Sequence, residues 1–236
     1  YDESIPARKI SKHLGTKHQE LKINLDKPEL IFDLLNYFDQ PFGNPTYLLM
    51  NQISEAAKKH ITVALCGVGG DEIFAGYPRH KTLLLDNITS LIPKSFSRAT
   101  ANLVSGFRDD FKNRKIHRVK SFFGGMDPNK LQQYFNFNYF LNDSEKDGLF
   151  LESSFKSFSS FKHFDLKFND SKIKDPINKV LDLEFKTFLV DNILEYTDKM
   201  SMANALEVRV PLLDHNLANF GLNINPKYKL NLKSGK

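Results

Sequence analysis

The chain has 236 residues, 41% hydrophobic and 26% charged, with a formal net charge of +5. That is ordinary globular composition, enough for one large domain or two small ones, and the mild charge excess is spread along the chain without an Arg-rich tract or a nucleic-acid motif, so nucleic acid is not an expected partner. Cys66 is the one cysteine, which excludes an internal disulfide; with no secretory h-region, a cytoplasmic setting is expected. No apolar run approaches the roughly 18–20 residues a membrane span needs, and Ile88–Ile92 is far too short. The chain opens on Tyr1 rather than Met and stops at Lys236 without a terminal signal, so both ends are expected to be cut from something longer.

Helix and strand alternate over residues 1–80. Asp2 can cap a helix carrying Ile5, Ile10 and Leu14, with Gly15 as its C′ residue. Gln19–Leu25 alternates Leu21, Ile23 and Leu25 with polar neighbours and reads as a half-buried strand. Asp26 caps a second helix with Pro28 in its first turn, and Leu30, Ile31, Leu34, Leu35 and Phe38 fall at helical spacing. Asp39–Pro45 is a loop punctuated by Pro and Gly. A third helix is expected over Thr46–Lys59, with Leu48, Leu49, Ile53, Ala56 and Ala57 inward. Ile61–Leu65, short, apolar and β-branched, reads as a strand buried on both faces. Helices alternating with such strands suggest a doubly wound α/β sheet, whose ligands bind beyond the carboxyl ends of the strands. Cys66–Gly70 begins at that place, and Asp71 is expected to cap a helix ending near Gly76.

Beyond residue 80 helical patterning dominates. Residues 81–236 read as a mainly helical remainder following the α/β part, 1–80. Residues 105–175 are polar, with a Phe-rich, locally simple stretch at Ser153–Ser160. Residues 181–206 form a long helical stretch whose apolar face is Leu181, Phe185, Phe188, Leu189, Ile193 and Leu194.

Three segments can carry chemistry. Gly67, Gly69 and Gly70, between a strand and a helix, can bring backbone N–H groups to phosphate oxygens, and Asp71 and Glu72 offer hard carboxylate oxygens to Mg²⁺. The same residues also suit a plain strand-to-helix turn, and no Gly-Lys-Ser/Thr follows, so this is not a Walker A loop. Lys199, within Asp198–Ala203, can reach a phosphate as a point charge or lie on a solvated face with Glu195 four residues before it; Glu207 and Arg209 read as an exposed pair or an orienting salt bridge. Asp39–Thr46 fits ordinary loop chemistry. Cys66 reads as an inert thiol rather than a nucleophile, and the seven His residues show no zinc-type spacing.

Together these segments resemble the glutamine-hydrolysing asparagine synthetase family. Leu65-Cys66-Gly67-Val68-Gly69-Gly70-Asp71-Glu72-Ile73-Phe74-Ala75-Gly76-Tyr77 is similar to its block Leu-Ser-Gly-(Asp/Glu)-Gly-(Gly/Ser)-Asp-Glu-(Leu/Val)-Phe-(Ala/Gly)-Gly-Tyr. Asp198-Lys199-Met200-Ser201-Met202-Ala203 through Pro211-Leu212-Leu213-Asp214 is similar to its later block Asp-(Arg/Lys)-x-Ser-Met-Ala … Glu-x-Arg-x-Pro-(Phe/Leu)-Leu-Asp. Phe38-Asp39-Gln40-Pro41 and Leu14-Gly15-Thr16-Lys17-His18 resemble Phe-Asp-Glu-Pro and Leu-Gly-Thr-x-His.

The resemblance implies a sheet of the ATP-pyrophosphatase type and an ATP-dependent ligase. A side-chain carboxylate of aspartate would be activated as an acyl-adenylate. Ammonia from glutamine, made in a separate N-terminal glutaminase domain, would then displace AMP. ATP and Mg²⁺ are the implied cofactors, and a homodimer is compatible with it. Cys66, Gly67, Gly69, Gly70, Glu72 and Tyr77 would surround the nucleotide, Asp71 would hold Mg²⁺, and Lys199 would act on the phosphates. Three departures stand out. The Ser-Gly-Gly-x-Asp-Ser loop is absent, so the segment alone is expected to be inactive. Val68 stands where an acidic residue would manage the proton of ammonia, which Val cannot do. Cys66 replaces the usual Ser, a weaker hydrogen-bond partner. Val68 keeps open an amidotransferase for another carboxylate, such as a polysaccharide sugar acid, and the missing loop keeps open a non-catalytic nucleotide-binding module.

Overall fold

A computed structural model describes residues 4–22, 29–84, 127, 129–138, 143–149 and 159–231. The expected caps Asp2 and Asp26, Pro28, residues 23–25 of the expected first strand, the Ile88–Ile92 run and residues 153–158 lie outside them. The chain divides into two compact units, residues 1–66 with 190–211 and residues 67–189 with 212–236.

In the first unit, α1 (Ser4–Leu14) ends as its sequence predicts. Gly15 is left-handed, with φ of 66°. Its N–H donates to Lys12 C=O and that of Thr16 to Ser11 C=O, at 3.4 and 3.0 Å, the two bonds that satisfy orphan carbonyls at a helix end. Ile5, Ile10 and Leu14 are exposed. Residues 19–22 form no strand, and Leu21 is exposed.

Helix α2 (Glu29–Leu35) and α3 (Thr46–Lys58) frame the loop between them. The inward face of α3 is Tyr47, Asn51 and Ser54, at the spacing of one helical stripe, while Leu49 and Ile53 are exposed. The expected face is thus rotated. Phe38 stacks on Phe42 with centroids 4.3 Å apart, and Tyr47 meets both rings edge-on. That cluster, with Leu34 and Met200, selects the Tyr47 side.

Strand β1 (Val63–Leu65) is not covered on both faces: Val63 and Leu65 are 40% and 75% exposed. They share one side by the strand's period of two, and that side is open. A later segment, β2 (Glu207–Arg209), pairs with β1 in parallel, Val63 opposite Glu207 and Leu65 opposite Arg209. The described architecture is therefore α/β, mainly helical with a small parallel two-stranded sheet.

The second unit begins with α4 (Gly70–Phe74) and a 3₁₀ segment, Pro78–Leu84. Helices α5 (Lys130–Asn138), α6 (Asp143–Leu149), α7 (Ser160–Asp170) and α8 (Pro176–Lys186) follow. Asp175 caps α8, accepting from the N–H of Ile177 and Asn178 at 3.0 Å each, with Pro176 pre-set for the first turn. The expected long helix over 181–206 is interrupted. The Thr187 hydroxyl folds back on Leu183 C=O at 2.7 Å, and Leu189–Leu194 winds as a π-helical stretch before α9 (Glu195–Ala203). Such wider turns mark functional or strained places. In the first unit α9 lies along α3.

Helix α10 (His215–Asn223) and α8 both pack on α4, and the core there is built on Leu181, Leu222, Ala75 and Leu230. Gly221 admits Ile73: a Cβ at that position would stand 1.9 Å from Ile73 Cγ2. Gly221→Ala would gain about 1 kcal/mol of helix propensity but overpack a core contact at about 1–3 kcal/mol or more. A net loss of stability is expected, read as a lower urea midpoint at unchanged slope. Lys229 ties the same elements together, its ammonium donating to Asn178 Oδ1 at 2.7 Å and to Gly221 C=O. Burial pulls that ammonium down to about 8.

Candidate functional site

The glycine turn is shaped by a carboxylate. Gly69, not Asp71, is the residue preceding α4, at a φ of 101°. Its N–H donates to Glu72 Oε2 at 3.0 Å, the reach-back of a third-position acid in a helix's first turn. Asp71 sits within that turn instead of capping it. The left-handed residue closing α4 is Ala75, with φ of 57°, rather than Gly76; the Gly76 N–H then returns to Asp71 C=O at 2.9 Å.

Glu72 is 2% exposed. Its other oxygen accepts from the Tyr77 hydroxyl, which burial and the neighbouring carboxylate push well above the ordinary tyrosine range. Both Glu72 oxygens therefore face inward groups, Oε1 the Tyr77 hydroxyl and Oε2 the Gly69 N–H. Leu212 and Leu213 press against the turn: a Cβ on Gly69 would stand 2.3 Å from Leu213 Cδ2, and one on Gly70 3.1 Å from Leu212 Cδ1. So Leu212 and Leu213 of the later block pack on the earlier block's glycines.

A pocket of about 500 Å³ opens beside the turn within the second unit, lined by Gly67, Gly70, Asp71 and Gly76, with Lys81, Lys229 and Asn231 among its polar walls. Asp71 is held close to the chain: a Cβ on Gly76 would stand 2.0 Å from Asp71 Oδ1. Among the described residues no three His, Cys, Asp or Glu side chains gather as a metal site.

In the first unit, Cys66 is a half-buried free thiol whose N–H continues the sheet ladder to Arg209 C=O at 2.8 Å. Arg209 and Glu207 form an exposed pair at 2.7 Å. Lys199 does not pair with Glu195 along its helix. Its ammonium meets Asp39 Oδ2 at 2.8 Å across 160 residues, so the Phe-Asp-Gln-Pro loop and the Asp-Lys-Met-Ser block come together. The hydrogen bond it donates to Asp39 raises the Lys199 ammonium above its ordinary range and lowers the Asp39 carboxyl. Beneath them Asn44 Nδ2 donates to Asn192 Oδ1 at 2.6 Å, tying the loop to the π-helical stretch.

One cluster escapes motif reading. Glu184, on α8, accepts from Arg79 Nε and Nη2 at 2.8 and 3.2 Å, from His80 Nε2 at 2.7 Å and from the Tyr134 hydroxyl. Burial would raise its carboxyl, but the bond from His80 and the charges of His80 and Arg79 overcome that and hold it at about 2. The signal was available: Glu184 lies between Leu183 and Phe185 on a core-facing stretch, where a buried acid demands partners.

Among relatives, the family model described as Asparagine synthase matches residues 1–236. Asparagine synthetase (glutamine-hydrolyzing) 1 of Bacillus subtilis strain 168 is 32% identical over 191 residues, covering 75% of this chain and 27% of that protein. A Methanocaldococcus jannaschii protein named "Putative asparagine synthetase (glutamine-hydrolyzing) 2" is 28% identical over 216 residues, 89% of this chain and 39% of that protein. One of the same name without the numeral, in Mycobacterium tuberculosis H37Rv, is 26% identical over 211 residues, 85% and 30%. The chain thus spans well under half the length of these relatives.

Proposed function

This chain belongs to the asparagine synthase family, and from that premise we propose that it forms part of a synthetase that activates a carboxylate with ATP as an acyl-adenylate, which ammonia then attacks to give an amide. The observation that carries this reading is the glycine turn: a left-handed Gly69 pinned by Glu72, with Gly67, Gly70 and Asp71 on a pocket wall. A carboxylate is a poor electrophile, and AMP makes it a good one. The leaving pyrophosphate carries charge that the site must offset.

The chain's own groups divide this work. Gly69 N–H is taken by Glu72, so Gly67 and Gly70 are the glycines that face the nucleotide, with Cys66 at the strand end beside them. Glu72 and Tyr77 act by holding the turn. Lys199 supplies a point charge for the phosphates; its partner Asp39 is 87% exposed, so the pair can open in favour of a phosphate. Asp71, on the pocket wall, would hold Mg²⁺ through one carboxylate with the substrate phosphates supplying further oxygens; the ion would neutralise charge building on the pyrophosphate. Aspartate is the acceptor the relatives' names suggest, with glutamine as the source of ammonia; a sheet of the ATP-pyrophosphatase type and a cytoplasmic setting belong to the same proposal.

Val68 favours a second reading, in which the acceptor is another carboxylate such as a sugar acid. A half-buried Val in the turn can neither accept a proton from ammonia nor repel a second carboxylate. The test is carboxylate-dependent exchange between pyrophosphate and ATP by the full-length protein. Exchange with aspartate supports asparagine formation, exchange only with another acid supports the second reading, and no exchange with any acid removes both. Gly76→Ala, which would push on the Asp71 carboxylate, is expected to raise the Mg²⁺ concentration for half-maximal exchange by about tenfold or more.

A further inference from the structure

Beyond the turn itself lies a chain of contacts that ends at α8. Tyr77, which serves Glu72, is followed at once by Pro78, Arg79 and His80. The Arg79 guanidinium lies between two rings, 4.2 Å from the Tyr77 centroid and 4.3 Å from that of Phe188. Its fork grips Glu184 through two nitrogens, and its neighbour His80, fully buried, grips the same carboxylate. Tyr77 also meets Phe188 edge-on at 6.1 Å and His80 at 5.5 Å. Two consecutive residues bound to one acid fix the backbone of this segment. That in turn fixes the plane of the Tyr77 ring and the place of its hydroxyl.

We propose that the Arg79–Glu184 pair positions the glycine turn, acting through the Tyr77 ring, the Tyr77 hydroxyl and the Glu72 carboxylate onto Gly69 and so onto Asp71. The proposal rests on the reading of that turn as the nucleotide site. Three features support it. Every link is a directional contact rather than bulk packing. Arg79 is the residue type whose planar fork can bind a carboxylate and stack on rings at once, which Lys cannot. And the cluster carries a cost: among the described residues His80 Nδ1 is buried without a hydrogen-bond partner. A bare buried polar atom lowers stability; an arrangement selected for stability alone would lack it, whereas one selected to place Tyr77 would tolerate it.

The experiment uses the full-length protein with Arg79→Lys, Tyr77→Phe and the double variant. Arg79→Lys keeps the charge and loses the fork and the stack; Tyr77→Phe keeps the ring and loses the hydroxyl. Each is expected to lower kcat for carboxylate-dependent pyrophosphate exchange by about 10–100-fold, the scale of small misplacements near a reacting centre. The double variant should be no worse than the poorer single one, because both cut the same chain. Hydrogen exchange at the Gly69 amide, which Glu72 holds, should quicken in each variant while the Ile73 amide of α4, bonded to Gly69 C=O, stays protected. Amide exchange unchanged at the turn, or losses that multiply in the double variant, would overturn the proposal. If the wild-type protein shows no pyrophosphate exchange with any acid, the functional reading fails, and the amide measurement still decides whether Arg79 positions the turn.

Discussion

Lys199→Ala in the full-length protein is expected to lower carboxylate-dependent pyrophosphate exchange by about 10²–10³-fold, the range for removing one preorganised group that meets developing charge. The folded state should be nearly indifferent. Asp39, the partner of Lys199, is mostly exposed, and exposed ion pairs contribute little to stability. The loop has other anchors, the Phe38, Phe42 and Tyr47 rings and the Asn44–Asn192 hydrogen bond. The prediction is therefore a large kinetic loss at an unchanged thermal midpoint. Lys199→Arg, which restores charge with a different shape, should recover part of the rate. A near wild-type exchange rate in Lys199→Ala would remove Lys199 from the phosphate site. A falling midpoint would show that the Asp39 pair is structural.

Glu184→Ala is expected to destabilise the protein by about 3–5 kcal/mol, the usual cost of stripping one partner from a buried charge pair. Arg79, 24% exposed at the side chain, and His80, fully buried, would both lose their acceptor. Against a total stability of about 5–15 kcal/mol, that is a large fraction. The pH dependence gives a second handle. A carboxyl held at about 2 when folded, against about 4.3 in an unfolded chain, stabilises the fold fully above the unfolded value. That stability is lost as pH falls from there through about 2. The wild type should therefore lose about 3 kcal/mol over that window through Glu184, and Glu184→Gln should flatten that part of the curve. Urea unfolding at stepped pH reads both effects.

How much of this was legible in the sequence depends on the kind of information needed. Local signals succeed: Gly15 ends its helix, and Asp39–Pro45 is a loop. Strand burial does not. Ile61–Leu65 looks like a fully covered strand because composition reports hydrophobicity and not how many neighbours the strand finds. Its partner Glu207–Arg209 carries charge at both ends and hides as a salt bridge. The buried face of α3 is not the one its Leu and Ile positions suggest, because the aromatic cluster of Phe38 and Phe42 draws Tyr47 inward, a tertiary choice that outweighs them. Within the candidate site, the spacing of the glycines and Asp71 suits a plain strand-to-helix turn as well as a phosphate site, and the inward role of Glu72 follows only from where Tyr77 lies. The Lys199–Asp39 pair spans 160 residues and the Arg79–Glu184 pair 105. No local pattern encodes contacts at such separations.

If a carboxylate is adenylated at the glycine turn, the fate of its oxygen reveals it. The full-length protein would be supplied with ATP, Mg²⁺, ammonia and an acceptor whose carboxylate is enriched in the heavy isotope of oxygen. Attack of that carboxylate on the α-phosphorus leaves one of its oxygens in AMP when ammonia displaces the acyl group. The account predicts one heavy oxygen per AMP formed and none in pyrophosphate. Label appearing instead in inorganic phosphate, or AMP forming at the same rate without acceptor, would contradict it.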